Sequence, residues 1–130
     1  EVNLEQAMKM SDELGGHIVQ GHVDCTVICD KVLVIGEGWR YTLKLPSVKP
    51  KGVVLKGSVA LDGISLTISR LEKNTLSVDI IPFTHENTNI KHWKKGTLIN
   101  LETDVIGKYV EKYLSPEKNI WSNPVKSKKN

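Results

Sequence analysis

Two short polar clusters hold most of the residues that could do chemistry. The first is Gly15-Gly16-His17-Ile18-Val19-Gln20-Gly21-His22-Val23-Asp24. Its glycines allow close backbone approach, as at a bulge or a ligand-facing edge. Its two imidazoles titrate near neutrality and can move a proton or donate a hydrogen bond. They lie five apart, so on a strand they point to opposite faces. They cannot share a metal there, and no third ligand is evident. Spacing alone favours a histidine satisfied by a backbone carbonyl over one that does chemistry.

The second cluster is Lys56-Gly57-Ser58-Val59-Ala60-Leu61-Asp62-Gly63-Ile64-Ser65-Leu66-Thr67. Asp62-Gly63 is a hairpin or bulge signal. Beyond it Ser65, Thr67 and Ser69 alternate with Ile64, Leu66 and Ile68, so the hydroxyls share one strand face. Such a row is a plain solvent face in most strands. Here the opposite face is wholly apolar and would fill a core, which leaves Ser65 and Thr67 to line a shallow polar pocket. No G-x-S-x-G elbow, phosphate loop or dinucleotide fingerprint is present.

Cys25 and Cys29 lie four apart. On a strand their α-carbons stand ~13 Å apart at ~3.3 Å per residue, beyond disulfide reach. They read as reduced structural thiols of a cytosolic protein, and no second pair exists to close a zinc site.

The elements that must carry these clusters are mostly strands. Val and Ile number 25 and Thr another 8, against 7 aromatic residues, a bias that favours β-structure. Strand character falls at about 17–29, 31–36, 39–45, 58–61, 64–71, 75–81 and 97–102. Asp30-Lys31, Gly36-Glu37-Gly38 and Glu72-Lys73-Asn74 read as hairpin turns. Pro46 to Val54 reads as a loop or short helix, and residues 83–96 as an irregular connection. This spacing predicts a small antiparallel barrel or sandwich.

After the last strand the period changes. Apolar residues at 106, 109, 110, 113 and 114 mark an amphipathic helix over 104–114. Thr103 or Asp104 can cap it, and Pro116 ends it. Its stripe would pack either on its own barrel or on another subunit.

The chain has 130 residues, 39% apolar and 25% charged, enough for one ordered domain without disulfides or metal. No apolar run approaches the ~20 residues of a membrane span. The opening Glu1-Val2-Asn3-Leu4 lacks the features of a signal peptide. We therefore expect a soluble, cytoplasmic protein with no membrane partner. The net charge of +3 lies wholly in residues 115–130, which hold four lysines against one glutamate. That segment reads as a disordered basic tail. The neutral remainder lacks the basic footprint of a nucleic-acid binder.

Val2-Asn3-Leu4-Glu5 returns as Ile99-Asn100-Leu101-Glu102, each copy followed by a helix-prone stretch. With the absence of a starting Met, the echo suggests a duplicated barrel of about 97 residues. On that reading residues 1–14 are the end of a missing first barrel and a linker. Residues 15–102 are the second barrel, and 103–114 the C-terminal helix.

Gly16-His17, Gly21-His22-Val23-Asp24, Lys56-Gly57, Asp62-Gly63-Ile64-Ser65-Leu66-Thr67, Ile81-Pro82 with Thr84, and Asn100 to Asp104 together resemble the second lumazine-binding domain of riboflavin synthase. The resemblance covers about residues 1–114. It implies an all-β fold, a six-stranded antiparallel Greek-key barrel with a C-terminal α-helix. It implies dismutation of two 6,7-dimethyl-8-ribityllumazine molecules to riboflavin and 5-amino-6-ribitylamino-pyrimidinedione, with no cofactor and no metal. The partners implied are that lumazine, riboflavin and the first barrel of a neighbouring subunit, in a homotrimer.

By matching position, His22, Ser65, Asp62 and Asp104 are the implied catalytic residues. Thr67, Lys56, Ile81, Thr84 and Val23 are the implied substrate-binding ones. His22 and Ser65 would handle protons, and Thr67 with the Ile81–Thr84 backbone would hold the pyrimidine edge. Asp104 can also be a plain helix cap. Ser65, Thr67, His22 and Asp62 are expected on one concave patch within about 10 Å, several hydrogen-bond lengths. Two other readings stay open: a non-catalytic lumazine- or flavin-binding protein of the same family, and an oligonucleotide-type barrel with accidental matches.

Overall fold

The computed structural model describes residues 1–114; the tail read from 115–130 lies outside them. Six strands form a closed antiparallel barrel: β1 (Cys25–Ile35), β2 (Gly38–Lys44), β3 (Ser58–Leu61), β4 (Ile64–Leu71), β5 (Thr75–Ile80) and β6 (Leu98–Thr103). Their order around the barrel is β1-β2-β5-β4-β3-β6. A short helix α1 (Pro82–Asn87) and a 3-10 turn (Asn89–His92) join β5 to β6, and α2 (Val105–Leu114) follows the last strand. The Greek-key barrel with its terminal helix is the expected fold.

The core follows from strand alternation. Val27 and Cys29 of β1, Tyr41 and Leu43 of β2, Val59 and Leu61 of β3, Leu76 and Val78 of β5, and Ile99 and Leu101 of β6 are buried, each separated from its partner by an outward residue. Burial of this kind contributes roughly 1.5–3 kcal/mol per large aliphatic side chain. Ile90 and Trp93, from the connection that looks irregular in sequence, also enter the core. Trp93 meets Tyr41 edge-on at 5.6 Å, and the Tyr41 hydroxyl donates to the Ile90 carbonyl.

Three local expectations change. Asp30-Lys31 is no hairpin: it lies at a register shift within one long β1, between Cys29 and Lys31. A bulge breaks the alternation that a turn would also break. Residues 17–24 are not strand; regular pairing begins at Cys25. The connection after β5 contains a real helix, which Pro82 opens at its first position. The Gly36 and Asp62-Gly63 turns form as expected. Asp62 and Gly63 both take positive φ (48° and 82°), the two-residue geometry that matches strand twist. Cys25 and Cys29 are free thiols. Burial, with a neighbouring carboxylate, pushes both thiols above their ordinary pKa, so they are poor nucleophiles.

Helix α2 meets the barrel with its small and charged face. Gly107 sits against Gly52, where an added Cβ would come within 3.2 Å of the Gly52 α-carbon. Lys108 pairs with Asp24 at 2.8 Å and Glu111 with Lys51 at 3.2 Å. The apolar stripe Ile106, Tyr109, Val110, Tyr113 and Leu114 faces outward and is exposed. The helix therefore does not use that stripe on its own barrel.

Candidate functional site

The site grows from the pairing of three strands. In register, Ala60 of β3 stands between Glu102 of β6 and Ser65 of β4. Residues paired across antiparallel strands share a face, so Glu102, Ala60 and Ser65 form an outward row. Ile64 and Leu66 lean on the core from the other side. Ala60 is nonetheless only 1% exposed.

The cover is the glycine-rich segment before β1, which straps over this row. At one end His17 meets Ser65: its amide donates to Ser65 Oγ (3.2 Å), and its Nδ1 lies 2.7 Å from the same oxygen. At the other end the amides of Gln20 and Gly21 donate to the two carboxylate oxygens of Glu102, at 2.8 and 2.9 Å. Gly16 has no substitute here, because a Cβ would fall 2.5 Å from Ser65 Oγ and 2.8 Å from its Cβ. Gly21 takes φ +77°, which glycine allows at little cost.

Asp24 secures the strap before β1 begins. Its Oδ2 accepts from the amide and hydroxyl of Thr103, both at 2.8 Å, and its Oδ1 pairs with Lys108. Partial burial raises the Asp24 pKa, but Lys108 and the two Thr103 bonds together outweigh it. The carboxyl is held below its ordinary range.

Short of Ser65 the pairing of β4 with β5 stops. The β4–β5 ladder runs from Leu71↔Leu76 to Ile68↔Val78 and goes no further among the described residues. In the same register Ser65 would face Ile81. Ile68 exchanges its backbone bonds with the chain before β3, through Lys56 N and Gly57 O. By strand alternation the amides of Thr67 and Ser65 face the β5 side, into this notch. Beside it stand exposed Ile81 and half-buried Thr84 at the start of α1. Lys56 (φ +66°) stands near the opposite end, since Ser58 pairs with Thr67. Trp39 stacks on His85 of α1 at 3.9 Å, which holds that helix to β2. Hydroxyls, backbone amides that face the notch, and an apolar flank suit a flat heteroaromatic ring with a polar edge.

The remaining sequence-derived residues lie apart from this notch in their contacts. Asp62 accepts from the Asn100 amide through Oδ1 (2.8 Å) and from Asn89 through Oδ2 (2.9 Å), so its carboxylate is occupied at the β3–β4 turn. Asp104 accepts from the Ile106 amide at 3.0 Å, the helix-cap role. His22 and Val23 are exposed on the strap, and no side-chain hydrogen bond joins His22 to Ser65, Thr67 or Asp62. The histidine that touches Ser65 is His17, and the acid that binds the strap is Glu102. Both stood in the quoted motifs. Reading 17–29 as a strand hid their roles, because face alternation says nothing about an irregular strap. Among the described residues no three His, Cys, Asp or Glu side chains gather as a metal site needs.

Residues 20–104 match the family described as "Lumazine binding domain". The chain is 39% identical over 113 residues to riboflavin synthase of Actinobacillus pleuropneumoniae, covering 87% of this chain and 53% of that protein. It is 40% identical over 114 residues to riboflavin synthase of Bacillus subtilis strain 168, covering 88% and 53%. The chain thus spans about half the length of these curated relatives. Its fold is similar to that of LumP, solved in complex with 6,7-dimethyl-8-(1'-D-ribityl) lumazine, with TM-score 0.68 and 19% identity over 78% of this chain and 54% of that one.

Proposed function

The chain belongs to the lumazine-binding domain family, and from that membership we propose that it is the second barrel of a two-barrel riboflavin synthase. The observation that carries this reading is the identity of about 40% with riboflavin synthases across nearly the whole barrel. The reaction takes two molecules of 6,7-dimethyl-8-ribityllumazine. One gives up a four-carbon unit and leaves as 5-amino-6-ribitylamino-pyrimidinedione; the other becomes riboflavin. This barrel binds one of the two lumazines, in the notch between β4 and β5. The other sits on the first barrel of a neighbouring subunit, within a cytoplasmic homotrimer.

The residues on this barrel have distinct work. One lumazine must lose a proton from its C7 methyl, and the other must accept a nucleophile at C7. Ser65 Oγ already accepts from the His17 amide, which leaves its proton free to point at His17 Nδ1. A hydroxyl so held can give up its proton to the imidazole or relay one from the ring. Thr67 and the backbone facing the notch hold the pyrimidine edge. Ile81 supplies an apolar wall, and Thr84 and Lys56 border the ring and its ribityl chain. His22, on the exposed strap with Val23, faces the second substrate. Asp62 and Asp104 act as positioning residues, through the β3–β4 turn and the α2 cap.

The test follows riboflavin fluorescence from the lumazine. This chain alone, the chain mixed with a separately made first barrel, and the two-barrel gene product are compared. Turnover restored by the first barrel supports the reading. A two-barrel product that neither binds nor converts the lumazine overturns it.

A further inference from the structure

The strap over Ser65 is pinned at two points, and its length leaves little slack between them. His17 is held to Ser65 Oγ on β4 and Gln20 to Glu102 Oε1 on β6, with β3 between the two strands. Two interstrand gaps come to about 10 Å, and three residues reach at most about 10–11 Å. Ala60 lies beneath the crossing, in register with both Ser65 and Glu102 and 1% exposed. The far pin is a buried charge. Glu102 is 5% exposed and belongs to no ion pair among the described residues. A buried carboxylate is costly unless it is well bonded. Its bonds go to the strap, from the Gln20 and Gly21 amides at 2.8 and 2.9 Å, and such charge-assisted bonds are about twice as strong as neutral ones. The near pin lacks the partner that usually orients an imidazole. With Nδ1 on Ser65, His17 Nε2 is buried and has no hydrogen-bond partner among the described residues. In a hydroxyl–imidazole–carboxylate triad the carboxylate orients the ring through that far nitrogen. Here the ring takes its place from the backbone that carries it.

We infer that Glu102 is a positioning residue for the Ser65–His17 pair: it does through the backbone of the strap what an orienting carboxylate does through the imidazole itself. The inference rests on the reaction proposed above, in which that pair moves the proton. Holding Gln20 and Gly21 against β6 draws residues 17–20 straight and keeps the imidazole on the hydroxyl. Released at Gln20, the strap gains slack, and a displacement of about 1 Å at a reacting group costs about 10²-fold in rate. A carboxylate suits the task because both of its oxygens accept, one for each amide. A glutamine in its place turns an N–H donor toward one of those amides, donor against donor. Ala60 suits it as well, since a larger side chain under the crossing would raise the strap at mid-span.

The experiment starts from the imidazole nitrogens of the 130-residue chain, read by long-range proton–nitrogen NMR. Ser65→Ala gives the His17 Nδ1 resonance without its hydroxyl partner. Glu102→Gln is expected to move that resonance most of the way to the same position, with His85 and His92 unmoved. In the two-barrel gene product Glu102→Gln should lower turnover by about 10²-fold. Added to Ser65→Ala it should cost little more, because it acts through the same pair. A residue that merely stabilises the barrel would add its full cost in that background. A His17 resonance that stays in place, or a cost that adds in full, overturns the inference. Should Glu102→Gln fail to fold, Ala60→Val carries the same test with the carboxylate intact: the resonance is expected to move, and an unmoved one overturns the inference. Failure of the underlying reading looks different: the resonance moves, but the two-barrel product neither binds nor converts the lumazine.

Discussion

In the mechanism proposed above, Ser65 and His17, in contact at 2.7 Å, act as a unit. Ser65 is exposed on the outer face of β4, so Ser65→Ala should leave the barrel folded. Turnover by the two-barrel enzyme should fall by about 10²-fold or more, the usual share of positioned proton transfer. His17→Ala should fall by a similar factor, and the double variant should cost little beyond either single one. A His17→Ala enzyme with more than half of its activity would remove the pair from the mechanism. Asp24 gives a separate, pH-dependent signature. Its folded pKa lies below the ordinary 3.8, so its stabilisation is complete above that value and is lost as pH falls through the lower folded one. Asp24→Asn should therefore be less stable at neutral pH, by about 1–2 kcal/mol for the charge-assisted bonds. Urea midpoints of the two proteins should draw together as pH falls below the ordinary carboxylate range. Parallel curves across that range would refute the assignment.

At the scale of elements, the strap and the terminal helix carry the tests. Gly16→Ala puts a methyl into Ser65 and should lift the strap from β4. Lumazine affinity is expected to weaken at least tenfold, with a smaller change in unfolding midpoint; unchanged affinity would show that the strap is a bystander. Helix α2 turns its apolar stripe to solvent, more apolar surface than a free helix normally shows. On the two-barrel, trimeric reading proposed above, ending that chain after Thr103 should reduce its mass in solution from trimer toward monomer. An intact trimer would place the contacts elsewhere.

These elements also show what a sequence can disclose. The strands were legible because one face of each is apolar, and the two-residue Asp62-Gly63 turn because positive φ leaves few alternatives. Asp30-Lys31 was not, since a bulge and a hairpin present the same polar interruption. The site was half legible. The hydroxyl row of Ser65 and Thr67 follows from alternation within one strand. The contact of His17 with Ser65 and that of Gln20 and Gly21 with Glu102 depend on a path through space that no local period encodes.

For the whole molecule, the proposed reaction turns on how two flat rings are held together. This barrel carries one notch, with hydroxyls on one side and Ile81 on the other. Most of the advantage in a two-substrate reaction comes from fixing the second partner in place. The 130-residue chain is therefore expected to bind the lumazine weakly and to form riboflavin far more slowly than the two-barrel enzyme. Comparable rates by fluorescence would mean that two copies of this barrel can pair and complete the site.

Strand β6 sets the order in which the molecule can be made. It lies between β1 and β3, paired as Cys25↔Leu101 and Val59↔Thr103, so one late segment shuts the ring. The β1–β2, β3–β4 and β4–β5 hairpins need only short loops and can form as the chain emerges. Closure must span most of the barrel's sequence, a non-local step that slows folding. Until Leu98–Thr103 leaves the ribosome, β1 and β3 each carry a bare edge open to other nascent chains. Ring closure therefore waits on β6, and a chain without Leu98–Thr103 is expected to leave β1 and β3 as the two bare edges of an open sheet.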